Sequence, residues 1–326
     1  MEHDEVFWHS GRLERLFPLG GPRARMNIHT IVGLGELLWD LFPEGKQLGG
    51  APANFAYMAN LLGDRGIVAS RIGMDPLGAE AHRKLQSLGL ETSFLELDPT
   101  HPTSTVKVAV AADGQPSYEI TEEVAWEFLE LGPAWESLAL RADAICFGSL
   151  AQRSRLSRDA IRAFLEAVRP GTARVFDVNL RQAFYSAEIV SESLKMADVV
   201  KLNREELARV MKLLDLGEHD EELSARRLLH ASSAQLVCVT RGEGGSRLVT
   251  SDRCEEHPGF RVPVVDTVGA GDAFAAALVH HFLRGSSLEE MSEAANRMGA
   301  WVASQVGATP LPDSAILQRL RAPARE

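Results

Sequence analysis

The chain of 326 residues contains few cysteines and no long apolar run, and both absences narrow what the protein can be. Its three cysteines, Cys146, Cys238 and Cys254, are far apart and form no CxxC pair. Cys146 and Cys238 lie in apolar, strand-like runs, which favours buried free thiols over disulfide bonds. No run approaches the ~18 consecutive apolar residues of a membrane-spanning helix. The sequence therefore predicts a protein of the reducing cytoplasm with no place in a membrane.

Positive charge is also scarce, because 34 lysines and arginines face 45 acidic residues and the net charge is −11. This balance argues against a nucleic-acid surface and against an anionic membrane as partner. ATP remains a candidate ligand, since a local group of donors and a metal ion can hold its phosphates. The length and the ordinary composition, 45% hydrophobic and 24% charged, allow one large α/β domain or two smaller ones.

Residues 1–25 lack any periodic pattern. They carry acidic, basic and aromatic residues without the apolar region of a signal peptide. Met26 directly precedes the first convincing strand. We therefore predict that residues 1–25 form a poorly ordered extension and that the folded domain begins near residue 26.

Strands alternate with helices over most of the chain. Strands are predicted over residues 28–35, 67–72, 144–147, 174–177, 199–202, 235–239 and 246–250, and helices over residues 76–88, 158–168 and 224–230. Such alternation is typical of a mostly parallel sheet covered by helices on both faces. Two further β-rich runs, residues 103–111 and 117–120, flank the turn Asp113-Gly114. Together with residues 37–42 they predict a small separate sheet.

The chain is organised around the stretch from Asp266 to Phe274, which reads Asp-Thr-Val-Gly-Ala-Gly-Asp-Ala-Phe. A β-branched run over residues 262–265 predicts a strand before it, and an Ala-rich run over residues 273–283 predicts a helix after it. Small residues let the backbone approach a ligand, and the first N–H groups of a helix favour an anion. Asp272 could then take the proton of a hydroxyl that attacks a phosphoryl group. The alternative is an ordinary tight turn in which Asp272 caps the helix.

A second glycine-rich turn lies in the first third of the chain. Residues 48–54 read Leu-Gly-Gly-Ala-Pro-Ala-Asn and lead into a helix predicted over residues 54–62, which ends at Gly63. The sequence therefore predicts two helix N-termini that each follow a turn of small residues.

Three further polar clusters follow predicted strands, where ligands of parallel sheets bind. They are Asp177-Val178-Asn179-Leu180-Arg181, Asn203-Arg204-Glu205-Glu206 and Thr240-Arg241-Gly242-Glu243-Gly244-Gly245. Turn formation alone explains Asp177 and Asn179 in the first cluster. Arg181 beside them is a candidate ligand for phosphate oxygens. Glu206 either completes a capping box with Asn203 or lies near Mg²⁺ and its waters. The third cluster is either a plain hairpin or a turn that binds a nucleotide phosphate.

With these motifs the chain resembles the ribokinase-like (pfkB) carbohydrate kinases over about residues 27–318. The motifs that carry the resemblance are, in order, Gly49-Gly50-Ala51-Pro52-Ala53-Asn54, Asn203-x-x-Glu206, Thr240-Arg241-Gly242 and Asp266-Thr267-Val268-Gly269-Ala270-Gly271-Asp272. The resemblance implies a three-layer α/β/α fold over residues 26–320 with a mostly parallel central sheet. It also implies a small β-sheet lid from about residues 36–48 and 101–122.

The resemblance implies a role for each candidate residue. Asp272 would be the base that takes the proton from a sugar hydroxyl. The other implied roles are Gly269, Ala270 and Gly271 for the transferring phosphoryl group; Asp40, Gly50 and Asn54 for the sugar; Asn203, Thr240, Gly242, Gly245, Asn296 and Arg181 for ATP; Glu206 for Mg²⁺ through water; and Asp266 and Thr267, with the segment near Gly307, for a monovalent cation such as K⁺. The implied cofactors are ATP and Mg²⁺, and lids that pair between subunits imply a homodimer.

The motifs look more like the fructokinase branch than like ribokinases. Residues 49–54, 35–40 and 177–181 all point that way, so we expect transfer of the ATP γ-phosphoryl group to the 6-hydroxyl of D-fructose. The alternative is a 2-keto-3-deoxygluconate kinase or another sugar or nucleoside kinase of the family. A phosphorylated sugar is disfavoured, because no cluster of Lys and Arg stands beside Asp40 or Asn54.

Two other classes of protein stay open. One is a sugar-binding sensor without catalysis, against which Asp272 and its glycines speak. The other is an NAD-linked enzyme, but Leu38 occupies the position of the third fingerprint glycine after Gly33 and Gly35. The segment that contains Trp126 either closes over the pocket or packs into the core.

Overall fold

The structure, a computed structural model, describes residues 28–43, 45–110, 116–217 and 219–322. The predicted extension over residues 1–25 lies outside the described residues, as does the turn Asp113-Gly114. The strands are β1 (Thr30–Leu34), β2 (Leu38–Phe42), β3 (Gly45–Gly49), β4 (Arg65–Gly73), β5 (Leu95–Asp98), β6 (Ser104–Val110), β7 (Pro116–Ile120), β8 (Ala144–Gly148), β9 (Ala173–Asp177), β10 (Val199–Asn203), β11 (Leu236–Thr240), β12 (Ser246–Val249) and β13 (Cys254–His257).

One large sheet forms the centre of the molecule. Among the described residues it has nine strands in the order β13-β12-β11-β10-β9-β8-β1-β4-β5. The run from β11 to β5 is parallel, and β12 and β13 are added antiparallel at one edge. The order reverses between β1 and β8, since the chain leaves β1 towards β4 and later returns to β8. At such a reversal the crossover connections diverge and leave a crevice at the carboxyl ends of the strands.

Helices cover both faces of this sheet. They are α1 (Ala51–Leu62), α2 (Pro76–Ser87), α3 (Pro133–Ala139), α4 (Arg155–Glu166), α5 (Ala187–Met196), α6 (Arg204–Leu213), α7 (Glu221–His230), α8 (Ala270–Phe282), α9 (Leu288–Ala303) and α10 (Ser314–Arg321). Two separate apolar cores result, one under α3 to α7 and the other under α1, α2 and α8 to α10. The predicted α/β fold of three layers is confirmed.

A second sheet stands apart from the first. Its order is β3-β2-β6-β7, in which β2 and β6 run parallel and the other pairs are antiparallel. The predicted pairing of residues 103–111 with 117–120 is therefore confirmed. Trp126 lies in a short 3-10 helix and is 0% exposed, so this side chain packs into the core rather than over the pocket.

The strand predicted over residues 262–265 is wrong. These residues form no strand, and Val264 and Val265 are exposed. Pro263 has no N–H to donate to a sheet, and the Val265 N–H donates to the Ala303 carbonyl at the end of α9. The β-branched composition of residues 262–265 misleadingly indicated a strand, because this segment lies across the end of α9.

A buried carboxylate anchors the far end of α8. Asp64, whose side chain is fully buried, accepts hydrogen bonds from Arg284 Nη2 at 2.7 Å and from the His29 N–H at 3.1 Å, and lies 2.6 Å from His280 Nδ1. Burial alone would raise the pKa of Asp64, but these bonds hold it well below its ordinary value. The cluster joins the start of β1 to the helix whose other end faces the crevice.

Asp64→Asn is expected to lower the free energy of unfolding by roughly 3–5 kcal/mol at pH 7. The substitution leaves charged and polar groups buried without their counter-charge. Thermal unfolding measures the loss, with the exposed Asp252→Asn as control. Equal melting temperatures for the two variants would contradict the anchoring role.

Candidate active site

The crevice between β1 and β8 holds a small cleft with polar groups at its edge. Apolar lining comes from the start of α1 and the end of β8, and the polar lining is Asp177, Asn179 and Asp272. Asn179 has a positive φ of 40°, a backbone conformation that is uncommon outside glycine and often marks a functional site. The cleft thus lies where the sheet topology predicts a ligand.

The start of α8 forms one wall. Gly269 precedes it with φ 77°, and a Cβ there would lie 2.5 Å from the Ala308 Cβ, so only glycine fits. No side chain caps this helix, which leaves its N-terminal dipole facing the cleft. The Ala270 N–H donates to the Thr267 carbonyl at 3.2 Å. Its predicted role as a donor to a phosphoryl group would require this bond to be shared or exchanged.

Asp272 and Asn54 meet across the cleft. Asn54 Nδ2 on α1 donates to Asp272 Oδ2 at 2.8 Å, although the two residues are 218 positions apart. Burial raises the pKa of Asp272, while the bond from Asn54 and the charges of Lys201 and Arg181 oppose the rise. A carboxylate with a raised pKa and a fixed orientation is suited to accept a proton. The alternative in which Asp272 merely caps α8 is excluded, since no side chain caps that helix.

Glu36 is a member of this site that sequence reasoning missed. It is 3% exposed, and its Oε2 is buried without a hydrogen-bond partner. Burial raises its pKa from the ordinary value of 4.5 to about 7, with Asp272 adding to the rise and Arg181 opposing it. Gly50, predicted in the sugar pocket, has φ 114°, and a Cβ there would lie 2.6 Å from the Glu36 carbonyl oxygen. The signal was an acid directly after Gly35 at the end of β1.

Glu36→Gln is expected to stabilise the protein in a pH-dependent way. The raised pKa means that the folded state binds a proton more tightly than the unfolded state, so stability falls as pH rises from about 4.5 to about 7. Glutamine removes this loss, which amounts to at most roughly 3 kcal/mol at pH 8. Urea unfolding at pH 5 and pH 8 measures it. A variant with the same advantage at both values would contradict the assignment.

Asp40, predicted to hold the sugar, lies near enough to Arg181 for the charge of the guanidinium to act on it. Asp40 is half-buried on β2, with its Oδ2 so close to Gly49 that a side chain there would collide with it. Burial raises the pKa of Asp40 to about 6, opposed by Arg181. The exposed Arg181 guanidinium also acts on Glu36 and Asp272. The structure thus groups Arg181, predicted to hold ATP, with the residues predicted to hold the sugar.

Lys201 and Asp177 form a second pair that sequence reasoning did not assign. Lys201 Nζ lies 3.0 and 3.1 Å from the two Asp177 oxygens, and both residues are buried. A Cβ on Gly271 would lie 3.0 Å from the same ammonium, so the pair stands directly behind the first turn of α8. The signal was a single charged residue in the apolar strand β10.

Four of the residues predicted to face ATP lie at the ends of β10 and β11 or in the turn after β11. Asn203 and Thr240 are neighbours in register at the carboxyl ends of β10 and β11. Gly242 begins a short 3-10 turn with φ 59°, and Gly245 ends it at φ 79°, where a side chain would collide with the His257 carbonyl. The structure therefore brings this group to the same edge of the sheet as Asp272.

Both carboxylate oxygens of Glu206 accept hydrogen bonds from backbone N–H groups. Its Oε2 accepts the Asn203 N–H at 2.8 Å and its Oε1 accepts the Leu180 N–H at 2.9 Å, while Asn203 Oδ1 accepts the Glu206 N–H at 2.8 Å. The capping box is present. The bond to Leu180 also ties the segment after β9 to α6. A water-mediated contact of Glu206 with Mg²⁺ stays a prediction.

Asn296 of α9 is buried against the start of β12. Its Nδ2 donates to Ser246 Oγ and to the Ser292 carbonyl, each at 2.8 Å. The amide nitrogen is therefore engaged inside the protein. The predicted contact of Asn296 with ATP stays a prediction.

Asp266 holds two backbone segments together. Its Oδ1 accepts the Val268 N–H and its Oδ2 accepts the Gly307 N–H, both at 3.0 Å, while Thr267 is exposed beside it. The predicted association of Asp266 with the segment near Gly307 is present, and the cation there stays a prediction. Over the described ranges, no group of three or more His, Cys, Asp or Glu side chains is arranged to hold a metal ion.

The residues present fit an anionic ligand. An uncapped helix N-terminus and turns of small residues can supply backbone N–H donors to phosphate oxygens, and the Lys201 ammonium behind the α8 turn adds positive charge. In the part of the chain that the structure describes, every helix is too short or too polar to cross a bilayer.

Fold and site together define an α/β protein of three layers with an uncapped helix N-terminus and a buried carboxylate at its switch point. Residues 43–314 match the family described as pfkB family carbohydrate kinase. A fructokinase of Escherichia coli is 32% identical over 301 residues, which cover 86% of this chain and 95% of that protein. The chain therefore belongs to the pfkB family of carbohydrate kinases.

Solved structures agree with this assignment. A fructokinase of Xylella fastidiosa with bound ATP has a TM-score of 0.78 at 25% identity and covers 89% of this chain and 97% of its own. A fructokinase of Vibrio cholerae O395, bound to fructose, ADP and a calcium ion, has a TM-score of 0.75 at 26% identity and covers 90% and 99%. The chain is thus a sugar kinase by family, with fructokinases among its relatives.

Proposed function

We propose that this protein transfers the γ-phosphoryl group of ATP to the 6-hydroxyl of D-fructose. The observation that carries the proposal is the hydrogen bond of 2.8 Å between Asn54 and Asp272 at the open N-terminus of α8. A fixed proton acceptor beside an anion-binding turn is the minimum that phosphoryl transfer to an alcohol needs. The fructokinases among the relatives support fructose as the acceptor.

In this mechanism the protein acts mainly by positioning and by charge. Asp272 orients the sugar hydroxyl and accepts its proton, and Asn54 fixes the carboxylate. The backbone of Gly269, Ala270 and Gly271 faces the transferring group, whose transition state is loose and therefore needs donors more than covalent help. Closure of the β2-β3-β6-β7 sheet as a lid would exclude water and limit ATP hydrolysis.

The charges around the pocket support a neutral sugar. Three carboxyl groups, Glu36, Asp40 and Asp272, share one exposed cation, Arg181. A phosphorylated sugar or a sugar acid would bring a further negative charge into this group. Hydroxyl groups, in contrast, can donate to each of these carboxyl groups.

The remaining assignments complete the proposal. Asn203, Thr240, Gly242, Gly245 and Asn296 form the nucleotide side. Mg²⁺ would shield the ATP phosphates near Glu206, and a monovalent cation such as K⁺ would lie by Asp266 and Thr267. The enzyme would work in the cytoplasm as a homodimer paired through its lids.

The test is ADP formation with ATP and Mg²⁺ against fructose, 2-keto-3-deoxygluconate, ribose, glucose, adenosine and fructose 6-phosphate. We expect selective turnover of fructose. Selective turnover of 2-keto-3-deoxygluconate would keep the kinase and replace the substrate, with Arg181 then a ligand for the carboxylate. Tight sugar binding without ADP formation would make the protein a sensor and overturn the proposal.

A further inference from the structure

The buried lysine behind α8 has a position that helix stability does not explain. Lys201 is 7% exposed, and its ammonium lies where a Cβ on Gly271 would be 3.0 Å away, at the N-terminal turn of α8. The dipole of a helix disfavours a cation at this end. The cation would be better placed at the C-terminus if it served only the helix.

The partner of the lysine does not explain its position either. Asp177 is 3% exposed and holds the ammonium with both oxygens, at 3.0 and 3.1 Å. Two buried charges lose about as much in desolvation as they gain from each other, so such a pair contributes little to stability. Burial by itself would lower the pKa of Lys201, yet Asp177, Glu206 and Asp272 raise it, so the ammonium stays charged.

The pair faces the reacting groups directly. Asp177 and Asp272 line the same cleft, and Gly271 between Lys201 and the cleft has no side chain to separate them. Five charged or titratable groups interact electrostatically with Asp272: Lys201 of β10, Arg181 after β9, Glu36 after β1, Asp177 of β9 and Cys146 of β8. Of the two cations in this set, only Lys201 is buried and held by hydrogen bonds to a carboxylate.

We propose that Lys201, held in place by Asp177, is a positioning residue for phosphoryl transfer at the α8 turn. The proposal rests on the kinase function proposed above. The fixed ammonium lies behind Gly271 and supplies positive charge there. That charge keeps Asp272 ionised against its burial and offsets the negative charge of the arriving phosphoryl group. Asp177 holds the ammonium at one point and prevents it from reaching into the cleft.

The test compares Lys201→Met, Lys201→Arg and the exposed control Lys212→Met. The measured quantities are kcat, KM for ATP and sugar, and the acidic limb of kcat/KM between pH 5 and 9. Every variant in the comparison retains Glu36, so the titration of that residue contributes to all of the profiles alike. Lys201→Met is expected to lose roughly 10²-fold in kcat and to move the acidic limb up by about 1 pH unit or more. Lys201→Arg keeps the charge and is expected to leave the limb in place.

A fourth variant guards against simple unfolding, since Lys201→Met leaves Asp177 buried without a partner. The double variant Lys201→Met with Asp177→Asn removes both charges and is expected to fold but still to lose kcat by roughly 10²-fold. If the double variant keeps the wild-type kcat, the proposal is overturned. The same holds if Lys201→Met has the pH profile of Lys212→Met. An inactive wild-type protein would instead overturn the kinase function itself.

Discussion

Replacing Asp272 with asparagine is expected to leave the binding of sugar and ATP intact and to lower turnover by roughly 10²–10⁴-fold. Asparagine keeps the shape and an oxygen that can still accept the hydrogen bond from Asn54, which is 2.8 Å long in the wild-type protein. What it loses is the negatively charged, basic oxygen that takes the proton. The burial that raises the pKa of Asp272 makes this carboxylate a stronger base than an exposed one.

Calorimetric titration and single-turnover kinetics separate the two effects. Binding constants for sugar and ATP should stay within a factor of about three of the wild type, while the rate of the chemical step falls. The exposed Asp252→Asn should change neither quantity. Near-normal turnover by Asp272→Asn would remove the residue from the chemistry and leave it as a ligand of Asn54.

The second large effect is expected from Gly269→Ala. Alanine at this position would need a positive φ of 77° and would place its Cβ 2.5 Å from the Ala308 Cβ and 2.7 Å from the Ala308 Cα. The backbone must therefore shift at the point where α8 begins. A displaced turn no longer aims its N–H groups at the phosphoryl group, and loss of such donors costs on the order of 10²–10³-fold in rate.

Gly285→Ala is the matched control for this variant. Gly285 follows the other end of α8 with φ 66°, but nothing lies within 4 Å of an added Cβ. It therefore carries the backbone strain of about 1–2 kcal/mol without the collision. We expect Gly285→Ala to unfold at a lower temperature than the wild type but to keep the wild-type kcat. Gly269→Ala should have both a lower unfolding temperature and a lower kcat. Equal kcat values for the two variants would show that the geometry of the α8 turn does not limit the reaction.

The parts of the fold that could be predicted from sequence are those with local causes. The parallel strands are apolar runs bounded by polar residues. The helices α1 and α8 each follow a turn of small residues, which indicates where the helix begins. Residues 262–265 had the composition of a strand, but strand formation depends on an available neighbour. Pro263 lacks the N–H that a strand would use, and the Val265 N–H is bound at the end of α9. The composition of the segment does not reveal this second contact.

The parts of the site that could not be predicted depend on distant partners. Lys201 and Asp177 are 24 positions apart, and each is an ordinary residue in its own segment. The hydrogen bond from the Asn296 amide nitrogen to Ser246, 50 positions away, also appears only in the folded chain. Glu36 gains its raised pKa only because the fold buries it beside Asp272. Motifs identify groups that a local turn presents, whereas buried charge pairs require the tertiary structure.

The most direct measurement of the central claim is the identity of the product. The protein is incubated with ATP, Mg²⁺ and fructose, and the mixture is followed by ³¹P NMR together with mass spectrometry. We expect one fructose 6-phosphate for each ADP formed, with Asp272→Asn as the blank. ADP without any sugar phosphate, or unchanged ATP in the presence of tightly bound fructose, would contradict it.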